Sequence, residues 1–263
     1  MIQFDCAKLK DPLFYKENVL PAHAAFTAYA GADEMRAGKN SLRKSLDGVW
    51  KFFCARNHHL VPAGFERMEY DCDSWGEIRV PAHIQMEGYG VPQYVNTQYP
   101  WDGRESIRPG EIPEKFNPIA CYVKYFEVPE TFKGNCVRIS FQGVESGMAL
   151  WLNGYYVGYS EDSFTPSEFD LTPYLIEGEN KLAVQVFRFT SSSWCEDQDF
   201  FRFSGIFRSV YLYAVPKSHL EDIFVKTVFE NSDFSKAWLS VQLRFTGEGR
   251  FVIRLKDRGK VLI

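Results

Sequence analysis

The sequence predicts an all-β protein: an antiparallel β-sandwich or jelly roll, followed by the opening strands of a second sandwich. Three observations carry this expectation. Short apolar or alternating runs recur from Leu46 onward, and turn residues separate them. Aromatic residues make up 16% of the 263 residues, with 23 Phe, 14 Tyr and 6 Trp, and such residues favour strands. Asn153-Gly154 lies between two apolar runs, where both positions tolerate positive φ and signal a hairpin.

Taken in order, residues 1–45 read as a polar, Ala-rich N-terminal arm. Within it, 22–38 suits a short helix or an extended stretch, and Gly31 and Gly38 weaken the helix. Asp47-Gly48 turns into a first strand, VWKFFCA. Between positions 79 and 120 stand six prolines, Pro81, Pro92, Pro100, Pro109, Pro113 and Pro118. Proline cannot donate to a central ladder, so an irregular, surface-reaching segment is expected there. Long irregular segments in compact domains are often functional. Strands are then expected at 121–128, 136–144, 148–154, 155–160, 181–189 and 208–215. Trp151, Tyr155 and Tyr159 are expected in the core. Pro216-Lys217-Ser218 reads as a boundary, with further strands at 223–229, 237–245 and 249–257. An immunoglobulin-like sandwich needs roughly 100 residues, and only 47 run from Lys217 to Ile263. The sequence also stops inside an apolar run, so it is expected to be cut within this second domain. The resulting division is 1–45, 46–216 and 217–263.

Composition narrows the function classes. The net charge is −4, which offers no general attraction to nucleic acid or an anionic membrane. No apolar run reaches the length of a membrane span. The first residues carry charges throughout and lack the apolar core of a signal peptide. Six cysteines (Cys6, Cys54, Cys72, Cys121, Cys136 and Cys195) form no C-x-x-C pair and have no histidine cluster. A reduced, cytoplasmic setting is the simplest expectation. Ser204 lacks a G-x-S-x-G context, so no nucleophile is read there.

Four segments carry a resemblance: RVPAHIQMEGYGVPQYVNTQYPW (79–101), FNPIACYVKYFEVPE (116–130), WLNGYYVGYSEDSFTPSEFDLTPYL (151–175) and EDQDFFRFSGIFRSVYL (196–212). Together they resemble the amino-terminal part of glycoside hydrolase family 2 β-galactosidases. The resemblance implies a jelly-roll, galactose-binding-like sandwich over 46–216 and a partial immunoglobulin-like sandwich from 217. The catalytic (β/α)₈ barrel would follow this chain. Retaining glycosidases need two carboxyl groups about 5–5.5 Å apart. By the resemblance both lie on that barrel, as do the ligands of a magnesium ion, so no catalytic residue is assigned here.

Carboxylate runs at Glu196, Asp197 and Asp199, at Glu161 and Asp162, and at Asp71 and Asp73 ordinarily mark solvated faces. The resemblance singles out Asp199, which would accept a hydrogen bond from the C6 hydroxyl of galactose and help ligate sodium. A carboxylate suits both tasks, being acceptor-only and a hard oxygen ligand. The resemblance also places Asn96 in the same pocket, where an amide can both donate to and accept from sugar hydroxyls. Without it, Asn96 reads as a turn cap. Trp101, Trp194, Phe200 and Phe201 flank these two residues, as stacking platforms or as packing. The implied partners are β-galactosides such as lactose, the barrel of the parent chain, and further subunits of a homo-oligomer. The arm residues Phe14, Tyr15, Phe26 and Tyr29 motivate the last. The competing expectation is a carbohydrate-binding module without catalysis.

Overall fold

The computed structural model describes residues 4–195 and 199–262. It divides into two units, Met1–Ala22 with Ala28–Ala214, and His23–Thr27 with Val215–Ile263. The strands in chain order are β1 (Lys16–Glu17), β2 (Arg43–Ser45), β3 (Gly48–Ala55), β4 (Gly76–Val80) and β5 (Tyr94–Val95). Then come β6 (Ile119–Glu127), β7 (Cys136–Phe141), β8 (Val144–Glu145), β9 (Gly147–Leu152) and β10 (Tyr155–Ser160). The first unit continues with β11 (Ser167–Asp170), β12 (Glu179–Phe187), β13 (Phe200–Phe201), β14 (Gly205–Ile206) and β15 (Val210–Val215). The second holds β16 (His219–Phe229), β17 (Ala237–Thr246), β18 (Lys256–Asp257) and β19 (Lys260–Val261). The one α-helix among the described residues, α1 (Ala32–Ala37), ends on Gly38. No helix of the described residues is long and apolar enough to cross a membrane.

In the first unit an antiparallel sheet of order β1-β10-β9-β12-β6-β3-β4 faces a smaller sheet of order β11-β7-β15-β2. Asn153 (φ 53°) and Gly154 (φ 82°) form the tight β9–β10 turn that the sequence predicts. Alternation along the strands then sends side chains to opposite faces. Trp50, Phe52, Tyr122, Leu150, Leu152 and Val184 fill the space between the two sheets. Cys121, Val123, Ala149, Trp151, Ala183 and Phe187 point the other way, yet they are buried too. The large sheet is therefore a middle layer, and its strands run apolar on both faces, as strands covered on both sides do.

Two irregular segments supply the outer cover. Phe4 and Phe14 stack on Tyr159 with ring centroids 4.9 and 5.3 Å away. Phe65 and Trp75 pack at 5.5 Å from each other, and Phe65 lies 6.4 Å from Trp151. The fully buried Lys181 ties down this second segment, donating to the carbonyls of Arg67 at 2.6 Å and Tyr70 at 2.8 Å. A buried ammonium is costly unless its donors are met, and here backbone carbonyls meet two of them. Tyr155 departs from expectation. It is 60% exposed, because it follows the two-residue turn at the outer end of the hairpin.

The second unit is built on a long antiparallel ribbon of β16 and β17. The His23–Thr27 segment belongs to it, and the Ala24 amide donates to Asp222 Oδ1 at 2.8 Å. The strand expected at 249–257 is reduced to β18. Phe251, Val252, Ile253 and Leu255 have a strand-like pattern but are exposed; of the four only Leu255 meets the facing strand, accepting from the Leu262 amide at 2.8 Å. An alternating pattern forms a strand only where another strand accepts its backbone groups.

Candidate functional site

The proline-rich loop and the loop after β12 meet in a two-residue ladder. Val95 pairs with Phe200 and Tyr94 with Phe201. The Arg202 amide extends it by donating to the Gln93 carbonyl at 2.6 Å. One step the other way, Asn96 directly follows and Asp199 directly precedes the paired residues. The directly paired Tyr94 and Phe201 share one face of this ribbon. The Tyr94 hydroxyl donates to Asp199 Oδ1 across it. That diagonal contact is within reach of a long side chain on neighbouring strands. The hydrogen bond to Asp199 raises the Tyr94 phenol above its usual pKa. Asn96 Oδ1 accepts from the Thr97 amide at 2.7 Å, the turn-capping contact expected of an isolated asparagine. Asn96 and Asp199 are both exposed. Glu196 and Asp197 lie outside the described residues.

Buried side chains hold the ribbon in place. Arg188, just past β12, is 4% exposed. Its Nη2 donates to Gln93 Oε1 at 3.4 Å and to the Arg202 carbonyl at 3.1 Å, one bond to each strand. Burial first, and then the charge of Arg104, push its pKa down to about 10. Trp101 and Trp194 pack at 4.9 Å, and Tyr99 lies parallel to Trp101 at 5.2 Å. The Trp194 indole donates to the Glu111 carbonyl at 2.7 Å. Trp101 is buried, so these two tryptophans pack the loops together. Phe201, by contrast, is 52% exposed and lies 5.5 Å from Tyr94.

Glu161 anchors the turn that leads towards Asp199. Its Oε1 accepts from Tyr159 Oη at 2.6 Å. Its Oε2 accepts from Thr190 Oγ1 at 2.9 Å, Ser191 Oγ at 3.2 Å and the Ser192 amide at 3.1 Å. The other carboxylates weighed from sequence are also engaged locally. Asp162 caps the Thr165 amide at 3.0 Å, and Asp71 caps that of Asp73 at 2.7 Å. Ser204 is buried and hydrogen-bonded to Gln85, which fits a structural turn.

Tyr94, Glu161 and Arg188 were missed as contributors to the site. The Y-x-N spacing of Tyr94 and Asn96 was the available signal for the first. The other two act through partners far away in sequence. The ribbon offers a carboxylate, an amide, a phenol and an exposed ring face, a set suited to binding a polyhydroxylated ring. Among the described residues no group of three or more His, Cys, Asp or Glu is placed to hold a metal ion. Asp199 suits sodium in donor type but supplies one carboxylate, against the six or so oxygens such hard-cation sites gather.

Residues 43–216 match the family model of the glycosyl hydrolases family 2 sugar binding domain. The chain belongs to this family. It is 52% identical over 225 residues to a β-galactosidase of Halalkalibacterium halodurans, covering 85% of this chain and 22% of that protein. It is 40% identical over 268 residues to the β-galactosidase large subunit of Leuconostoc lactis, covering 97% of this chain and 42% of that one. The chain thus spans well under half the length of these relatives. Among solved structures, a β-glucuronidase from Ruminococcus gnavus in complex with D-glucaro-d-lactam aligns with a TM-score of 0.61. It is 17% identical and covers 85% of this chain and 38% of that one, which shows the shared fold.

Proposed function

We propose that this chain is the amino-terminal part of a β-galactosidase and forms one wall of its galactose pocket. The parent enzyme hydrolyses terminal, non-reducing β-galactosyl residues, as in lactose, with retention. It works as a homo-oligomer in the cytoplasm, and its catalytic glutamates and magnesium ligands lie outside this chain. Asp199 accepts from the sugar's C6 hydroxyl and contributes one oxygen to sodium, and Asn96 meets neighbouring hydroxyls. The observation that carries the reading is the short ladder and the Tyr94–Asp199 hydrogen bond that bring together the two loops bearing Asn96 and Asp199, on a scaffold whose relatives bear the name β-galactosidase. The second unit reads as the opening strands of an immunoglobulin-like sandwich. Ile223, Val225, Leu239, Val241 and Leu243 share one face of its ribbon, and an apolar sheet face calls for a facing sheet.

The test uses a chromogenic galactoside. The 263-residue chain alone gives no turnover. In the parent enzyme, Asp199→Ala removes a hydrogen-bond acceptor that carries charge. Such a bond contributes about 1.5–3 kcal/mol, so KM rises roughly 10–100-fold. The response to sodium falls with it. Unchanged KM and sodium dependence in Asp199→Ala and Asn96→Ala would overturn the assignment of both residues. Turnover by the chain alone would overturn the reading of a non-catalytic part. Calorimetric binding of galactose by the chain, with no activity in the parent protein, would favour a carbohydrate-binding module instead.

A further inference from the structure

A second polar site lies in the first unit, in a cavity of about 300 Å³. Arg56, Gln85, Tyr89, Arg104, Phe116 and Arg188 line it, and no carboxylate does. Phe116 serves as the platform for two of the cations. The Arg104 guanidinium lies 5.3 Å and that of Arg56 6.0 Å from its ring centroid. Neither arginine forms an ion pair with any described residue. Arg188 is nine-tenths buried and uses Nη2 on the ribbon. Its buried Nε has no acceptor. Gln85 is not available to a ligand, because its amide is committed at both ends to Ser204.

Three guanidinium groups around one small cavity repel one another. The charge of Arg104 already acts against that of Arg188, partly offset by Glu145, which is not in the lining. The planar fork of a guanidinium matches carboxylate and phosphate oxygens and holds them by strong, charge-assisted bonds. The volume is at the low end for small-molecule sites and leaves room for an oxyanion group together with its hydration water. We propose that the cavity framed by Arg56, Arg104 and Arg188 is an anion site that takes one carboxylate or phosphate group. The group comes either from a free small anion or from an acidic side chain elsewhere in the parent protein. Arg188 joins this site to the ribbon that carries Asn96 and Asp199, although the anion site does not depend on the sugar reading.

Titration of the chain with inorganic phosphate and with acetate, at ionic strength fixed by sodium chloride, tests the proposal. NMR of arginine Nε–H groups reads the cavity directly. Binding should saturate with a Kd near or below about 1 mM. Arg104→Gln and Arg56→Gln change exposed residues and spare the fold, and each should weaken binding roughly tenfold. A response that stays linear to about 50 mM is screening rather than binding, and it would overturn the site. Unchanged affinity in both variants would do the same. The parent protein separates the two sources. Phosphate binding retained there identifies a free anion. Binding lost there, with Arg104→Gln lowering the parent's Tm, identifies an internal acidic side chain. Loss of binding with an unchanged Tm would count against the proposal.

Discussion

Replacing Glu161 by alanine should cost the first unit about 4 kcal/mol, a figure that follows from what the carboxylate holds. Tyr159 and Thr190 are fully buried, and their hydroxyls donate to it at 2.6 and 2.9 Å. The Ser191 hydroxyl and the Ser192 amide donate at 3.2 and 3.1 Å. A buried donor left without an acceptor costs about 1–3 kcal/mol. The serine groups lie nearer the surface and can recruit water, so the lower end of that range applies to them. For a domain of this size, about 4 kcal/mol corresponds to a Tm lowered by roughly 8–16 °C. Glu161→Gln keeps an acceptor for the Thr190, Ser191 and Ser192 donors, and the Tyr159 hydroxyl can rotate to accept from the new amide. That variant should cost only about 1 kcal/mol. Urea unfolding followed by tryptophan fluorescence measures both, provided the slope with denaturant is unchanged. A cost below about 1 kcal/mol for Glu161→Ala would show that the donors find other partners. Equal costs for the two variants would show that packing, not acceptor capacity, matters there.

Two further predictions concern the turn packed beside the site. Gly205 has φ 116°, and a Cβ there would stand 2.9 Å from both Ile84 Cγ2 and Tyr122 Oη. Gly205→Ala should therefore lose about 3 kcal/mol from strain and overpacking combined, and a loss under about 1 kcal/mol in urea unfolding would refute the crowding. His83 stacks on Phe203 at 4.5 Å and on Phe207 at 5.0 Å, and burial lowers its pKa. Its folded pKa lies below the unfolded one, so the stability it contributes is present above the unfolded value and fades as pH falls through that range. Between pH 7 and pH 5, near the ordinary histidine pKa of about 6.5, the wild type should lose more stability than His83→Phe; equal losses would refute the assignment.

The sandwich was legible because strand pairing leaves a local record. The apolar, β-prone run CYVKYFEV and the turn at Asn153-Gly154 each specify an element without reference to distant residues. The outer cover was not legible. Residues 4–14 and 58–75 carry no strand or helix period, and only the docking of Phe4 and Phe65 shows that they close a second core layer. The segment 249–257 misled for the opposite reason, since its pattern is regular while its ladder is not made. Asn96 and Asp199 became candidates through the family resemblance alone. Isolated, one looks like a turn cap and the other like a solvated acid.

The candidate sugar site poses a problem of rigidity. A two-residue ladder is too short to hold itself, because even a whole isolated hairpin is marginal in water. Its strands also come from irregular loops, the kind of segment with the lowest local stability. Order must therefore be imposed from below. Arg188 ties the two strands at Gln93 and Arg202, Trp101 and Trp194 pin the flanking loops to each other, and Glu161 fixes the turn that leads in. Each anchor is a buried or half-buried group whose hydrogen bonds or ring contacts run to residues distant in sequence. The exposed residues can then be few and polar, because their positions do not depend on their own packing. This arrangement separates holding the geometry from touching a ligand. It also explains why the sequence does not reveal which residues hold the ribbon, since each of them acts through contacts with partners far along the chain.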